Sequence, residues 1–293
     1  MTDSDHVALA LPTGPKRFRC RGRLLDLTER SRVVGILNLT PDSFSDGGRF
    51  SDPEAAVDQA RRMVEEGADI LELGGESTRP GAVAVTADEE LRRVVPVLRR
   101  LRSELAVPLA VDTYKPEVAR AVLDEGAEII NDVYGARGEG HLAIEVARAG
   151  AGLVIMHMKG TPRDMQVDPF YEDVVVEVLA FLQDRAAFSE RVGVDPESII
   201  LDPGLGFGKR LEDNLVLLGR LSEFHRLGKP VMIGPSRKSF VGKVLDLPVG
   251  ERWEGTAACV GAAILQGVAF VRVHEVGPTV RLNRMLDAIR KAH

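Results

Sequence analysis

The side chains of this sequence best suited to chemistry stand where short apolar runs end. The run 33–37 leads into Asn38, the run 70–73 into Gly74-Gly75-Glu76-Ser77-Thr78-Arg79, and the run 109–111 into Asp112. Run 129–130 leads into Asn131 and Asp132, run 153–156 into His157, and run 199–201 into Asp202. Run 231–233 is followed by Ser236-Arg237-Lys238-Ser239, and run 270–273 carries Arg272 and ends at His274. Asp112, Asn131 and Asp202 supply acceptors, and Asn131 can also donate. Such a set suits a flat heterocycle with several N–H donors, because a carboxylate accepts two parallel bonds from an amidine-like edge. Each charge-assisted bond of that kind contributes about 1.5–3 kcal/mol. Arg79, Lys238, Arg272 and His274 are cationic donors that suit an anion such as phosphate or pyrophosphate. One Asp or Ser after a strand is more often a helix cap. Eight polar strand ends read as a site.

The elements that must hold these groups follow from the same runs. Each is short and apolar without polar alternation, as in parallel strands covered on both faces. Between them lie amphipathic stretches with starts and stops. Ser51-Asp52-Pro53-Glu54 opens one, with Val57, Ala60 and Val64 on its apolar face and Gly67 after it; Thr113 before Lys115-Pro116-Glu117 opens another, closed by Gly126. Pro96 inside the stretch 89–102 predicts a kink or break. Arg17 to Leu27, turning at Gly22, predicts a hairpin ahead of the main fold. Residues 1–15 read as a flexible tail, and 16–293 as one domain. A doubly wound open sheet is the rival architecture. Eight evenly distributed βα units favour an α/β protein of the (β/α)8 TIM-barrel class with a short N-terminal β-hairpin, which brings all the polar strand ends to one face.

Composition narrows the function. The 293 residues carry a net charge of −6, and only 5% are aromatic, so neither a basic footprint nor a stacking platform for nucleic acid is present. Cys20 and Cys259 are in no metal-ligand spacing and suit a reducing compartment. The apolar stretch 7–11 follows Asp3 and Asp5, the wrong length and charge for a signal peptide, and 259–273 is interrupted by Gln266 and Arg272. The expectation is a cytoplasmic protein without a membrane or nucleic-acid partner.

Gly204-Leu205-Gly206-Phe207-Gly208-Lys209 is neither a Walker A loop nor a dinucleotide fingerprint, and its glycines read as a tight βα turn that sets the Phe207 ring at the site mouth. The long polar loop 38–48 reads as a mobile lid. Gly35-Ile36-Leu37-Asn38 through Gly48, Gly74 through Gly81, Asp202 through Lys209, Ser236-Arg237-Lys238-Ser239 and Arg272-Val273-His274 together resemble the dihydropteroate synthase family. The likeness runs from about Phe18 to about Leu286.

That resemblance implies a usually dimeric (β/α)8 barrel of folate biosynthesis. Its reaction joins 4-aminobenzoate to (7,8-dihydropterin-6-yl)methyl diphosphate with Mg²⁺, giving 7,8-dihydropteroate and pyrophosphate. It places Asp112, Asn131, Asp202, Lys238 and Met156 around the pterin, although a Met on a barrel strand is more often core filling. It places Asn38, Thr78, Arg79, Arg272 and His274 on the diphosphate, with Asn38 also on the metal. Thr78, Pro80, Phe207, Lys238, Ser239 and Phe44 would line the aminobenzoate pocket, and Asp42, Phe44 and Asp46 would belong to the catalytic loop. Glu275 stands where the family commonly has Asp. The segments 256–266 and 279–290 are the expected dimer faces. Three alternatives stay open: a pterin-dependent methyltransferase barrel serving a corrinoid protein, an aldolase with a Schiff base on Lys238, and a pterin-binding paralogue without turnover.

Overall fold

The computed structural model of the chain describes residues 14–40, 53–78, 81–137 and 140–291. The expected tail thus lies, apart from Gly14 and Pro15, outside the described residues. The described chain opens on a hairpin of β1 (Arg17–Cys20) and β2 (Arg23–Asp26), with Arg17 opposite Asp26 and Cys20 opposite Arg23. Its turn residues, Arg21 (φ 43°) and Gly22 (φ 82°), are both left-handed, the pair that a two-residue hairpin turn needs to match strand twist.

The strands β3 (Arg32–Asn38), β4 (Ile70–Gly74), β5 (Leu109–Asp112), β6 (Ile129–Asp132), β7 (Gly152–Met156), β8 (Ile199–Asp202), β9 (Met232–Ile233) and β10 (Phe270–Val273) form one parallel sheet. Its order is β8-β7-β6-β5-β4-β3-β10-β9, and a bridge from Leu201 to Val231 brings its two ends together. The intervening helices are α1 (Pro53–Glu65), α2 (Ala87–Glu104), α3 (Pro116–Asp124), α4 (His141–Ala149), α5 (Val174–Arg191), α6 (Leu211–Gly219), α7 (Ser239–Leu245), α8 (Trp253–Leu265) and α9 (Val276–Lys291). This is the eight-stranded βα barrel that the apolar runs predict.

Two sequence expectations shift. Pro96 does not break α2, which runs continuously from Ala87 to Glu104. Pro96 and Arg92 are both exposed, so the carbonyl that loses its helical partner faces water. The start expected at Thr113 moves to Lys115, with Pro116 in the first turn, while the Thr113 hydroxyl accepts from the Lys115 amide at 3.2 Å.

Strand periodicity decides what enters the lumen. Successive side chains alternate between the two sheet faces. Val33, Leu37, Leu71, Leu73, Val111, Ile130, Leu153, Ile155 and Leu201 join the large core beneath the helices. Val34, Ile70, Ala110, Ile129, Val154, Ile200, Met232 and Phe270 point the other way and form a separate apolar cluster with Phe18. That cluster is the floor of the barrel. Phe18 meets Phe270 edge-on at 5.6 Å, and a Cβ on Gly152 would sit 2.5 Å from the Phe18 ring, so β7 must start with glycine. No helix among the described residues is long and apolar enough to cross a membrane.

Candidate active site

Two residues beyond each floor position the same parity returns to the lumen, one layer higher. There the strands place Glu72, Asp112, Asn131, Met156, Asp202 and Arg272. Register aligns them, with Asp112 beside Asn131 and Met156 beside Asp202. An apolar floor under a polar ring is the arrangement barrels use at the C-terminal face.

Arg272 holds the ring together. Its Nε donates to Glu72 Oε1 at 2.5 Å and its Nη2 to Asp112 Oδ2 at 3.2 Å. Burial works against the guanidinium charge, but Glu72 and Asp112 outweigh it and hold its proton on. Burial, with the Glu72 carboxylate close by, pushes Asp112 well above the usual carboxylate range, and Arg272 pulls it back. Glu72 is the group that sequence reading missed. Its signal was a lone charge inside the apolar run Ile70-Leu71-Glu72-Leu73.

Around this triad lie the other expected groups. Burial raises Asp202 to about 6, and the Gly204 amide donates to it at 2.7 Å. Asn131 is buried with its Oδ1 unpartnered among the described residues, an acceptor awaiting a donor. Lys238 Nζ stands 3.7 Å above the centre of the Phe207 ring, and burial, then Arg272, lowers it to about 7. Met156 and Phe207 belong to an apolar wall with Val133, Met158 and Met165, backed by Tyr114 and Tyr134. A methionine-rich wall of this kind accommodates a flat ring.

On the neighbouring rim, Asn38 ends β3 half-buried opposite Gly74, and Thr78 is half-buried beyond β4. His274 Nδ1 lies 2.9 Å from Ser236 Oγ, which also bonds Glu275 at 3.1 Å; Arg237 pairs with the same Glu275. Glu275 thus ties the rim after β9 to that after β10. Ser239 opens α7 and is exposed. Arg79, Pro80, Asp42, Phe44 and Asp46 lie outside the described residues.

His157, one of the eight strand-end groups, serves the scaffold instead. Its ring packs edge-on against Phe181 at 5.0 Å, and its Nδ1 is 3.0 Å from Lys209 Nζ. Burial and then Lys209 keep the imidazole neutral. Lys209 also donates to the carbonyls of Gly204 at 2.9 Å and Phe207 at 3.0 Å. The buried Lys209 amino group, which burial lowers to about 7, therefore folds the 204–209 turn around itself and aims Phe207.

The pterin binding enzyme family matches residues 34–274 of this chain. The dihydropteroate synthase of Synechocystis is 44% identical, with 98% of this chain and 97% of that protein aligned. That of Bacillus subtilis is 44% identical over 90% of each. The chain belongs to the dihydropteroate synthase family. Solved members of the family superpose closely. The Yersinia pestis enzyme with a sulfonamide drug gives a TM-score of 0.89 at 41% identity, over 94% of this chain and 99% of that one. The Xanthomonas albilineans enzyme in complex with 7,8-dihydropteroate gives 0.84 at 42% identity, over 94% and 98%. Membership of the dihydropteroate synthase family gives the polar ring of this barrel a chemical context.

Proposed function

We propose that this chain is a transferase of folate biosynthesis that joins 4-aminobenzoate to (7,8-dihydropterin-6-yl)methyl diphosphate, yielding 7,8-dihydropteroate and pyrophosphate. The observation that carries the reading is the lumen layer, in which Asp112, Asn131 and Asp202 face one chamber with Arg272 and Lys238 beside them. Asp112 and Asp202 accept from the pterin N–H edges, Asn131 donates and accepts, Lys238 donates to a ring acceptor, and Met156 packs on the ring face. Arg272 and His274, with Asn38, Thr78 and Arg79, take the diphosphate. Phe207, Thr78, Pro80, Lys238, Ser239 and Phe44 take the aminobenzoate, and the loop carrying Asp42, Phe44 and Asp46 completes the site.

The step needs no general base at the start. The methylene C–O bond breaks, its electron pair leaving with pyrophosphate, and the resulting cation is delocalised into the pterin that the two carboxylates hold. The neutral aromatic amine then forms the C–N bond and loses its proton afterwards. The apolar wall around Phe207 keeps water from capturing the cation.

The donor set fits Mg²⁺ carried by the substrate. Asn38 offers a hard oxygen, and among the described residues no group of three or more His, Cys, Asp or Glu makes a protein cage. Mg²⁺ usually takes one or two protein oxygens and fills its shell with phosphate and water. When bound, it would neutralise charge on the leaving diphosphate. The same reading makes the chain a cytoplasmic homodimer joined through α8 and α9, where Leu265, Met285 and Ile289 are exposed.

A coupled assay for pyrophosphate tests the proposal. Release is expected only with both substrates and Mg²⁺, and to stop with chelator; no release with all three present would overturn it.

A further inference from the structure

The loop between β4 and α2 carries Thr78, and its two stems are joined by a side chain from a third element. Glu76 stands at the loop's entry and Glu90 one turn into α2 at its exit. Lys115, which begins α3, bonds both: its Nζ pairs with Glu76 Oε2 and lies 2.5 Å from Glu90 Oε2. The Tyr114 hydroxyl donates to the other Glu76 oxygen at 3.1 Å. Glu90 is fully buried, and Lys115 and Glu76 are nearly so, with side chains about a tenth exposed. Surface pairs contribute little. A buried ammonium shared by two carboxylates holds a fixed geometry, because either carboxylate left alone is costly.

The stems are also packed shut. The Gly75 carbonyl accepts from Arg93 at 2.9 Å, and a Cβ on Gly75 would sit 2.7 Å from Val94 and 3.0 Å from Glu90. Lys115 is three residues beyond Asp112, and Thr113 between them donates its amide to Asn131 O at 3.1 Å. One short turn therefore carries a pterin carboxylate at one end and the loop's fastening at the other.

We propose that Lys115 is a positioning residue, fixing the loop segment that carries Thr78 to the pterin wall through the Glu76–Lys115–Glu90 bridge. This rests on the family reaction and adds to it a residue that touches no substrate. Thr78 is only two residues past Glu76, so movement of Glu76 is passed on almost undiminished. Displacements of about 1 Å at a reacting centre can cost about 100-fold in rate.

The experiment uses Lys115→Met and, because that variant leaves two carboxylates unpaired, also Glu76→Ala, which keeps the Lys115–Glu90 pair. Calorimetry measures affinity for 6-hydroxymethylpterin, which lacks the diphosphate, and steady-state kinetics give KM for both substrates. Both variants should keep the free-pterin Kd within about twofold. Their KM for aminobenzoate and for the pterin diphosphate should rise tenfold or more, and kcat/KM should fall about 10- to 100-fold. Unchanged KM values in either variant, or a free-pterin loss equal to the substrate loss, would overturn the proposal. Failure of the reaction assignment would be seen instead in the unmodified chain, as absence of pyrophosphate release.

Discussion

Replacing Arg272 with Met should damage the barrel more than the loss of one cation suggests. Glu72 is 1% and Asp112 7% exposed, and the guanidinium neutralises both. Opposite charges about 4 Å apart attract by about 4 kcal/mol at an effective dielectric of 20, and this offsets the desolvation of all three groups. Removing the cation strands two carboxylates in one chamber, and breaking such a buried pair costs about 3–5 kcal/mol. The folded variant then reduces the cost by protonating Asp112. Burial already holds the Asp112 carboxyl above its unfolded pKa, so this part of the variant's stability is fully present below the unfolded value and is lost as pH rises through the folded one. Arg272→Met should therefore unfold at lower urea concentration at pH 8.5 than at pH 6, and adding Glu72→Gln should recover at least half of the loss. Urea titrations followed by circular dichroism, run as a double-mutant cycle, measure both. Additive costs, or a stability that rises toward pH 8.5, would refute the shared-cation account. The contact also means that Arg272 variants should weaken free-pterin binding, through Asp112, and not diphosphate binding alone.

Affinity for a free pterin should fall as pH is lowered through about 6, because the raised Asp202 carboxylate must be ionised to accept two N–H bonds. Asp202→Asn should flatten that limb and cost about 1.5–3 kcal/mol at pH 7.5; calorimetry from pH 5 to 8 showing no slope in the parent chain would count against it. Lys209→Met should destabilise the fold by about 2 kcal/mol, since it leaves the buried Phe207 carbonyl without its donor and takes one of two donors from that of Gly204. A thermal melt within a degree of the parent would show that the Lys209 side chain is dispensable.

The barrel was legible because parallel strands covered on both faces write themselves as uninterrupted apolar runs, and all eight runs became strands. The site was legible where a polar residue ended such a run, as at Asp112, Asn131 and Asp202. Charges that interrupt a run or hide in a turn escaped. Glu72 lies within β4 and Lys209 closes a glycine-rich turn, and both are buried. Lys115 carries a helix-start signal, and nothing in spacing tells that its side chain turns back toward Glu76 and Glu90. The break that Pro96 suggested is absent because a proline on the wet side of a helix costs a bond that water replaces.

The Phe18 plug joins the N-terminal hairpin to the last strand of the barrel to be made. Its ring packs against β7 at Gly152 as well as against Phe270, so the hairpin's seat is complete only once the last strand has been made. Only then is the base of the barrel filled, opposite the polar ring at its other end.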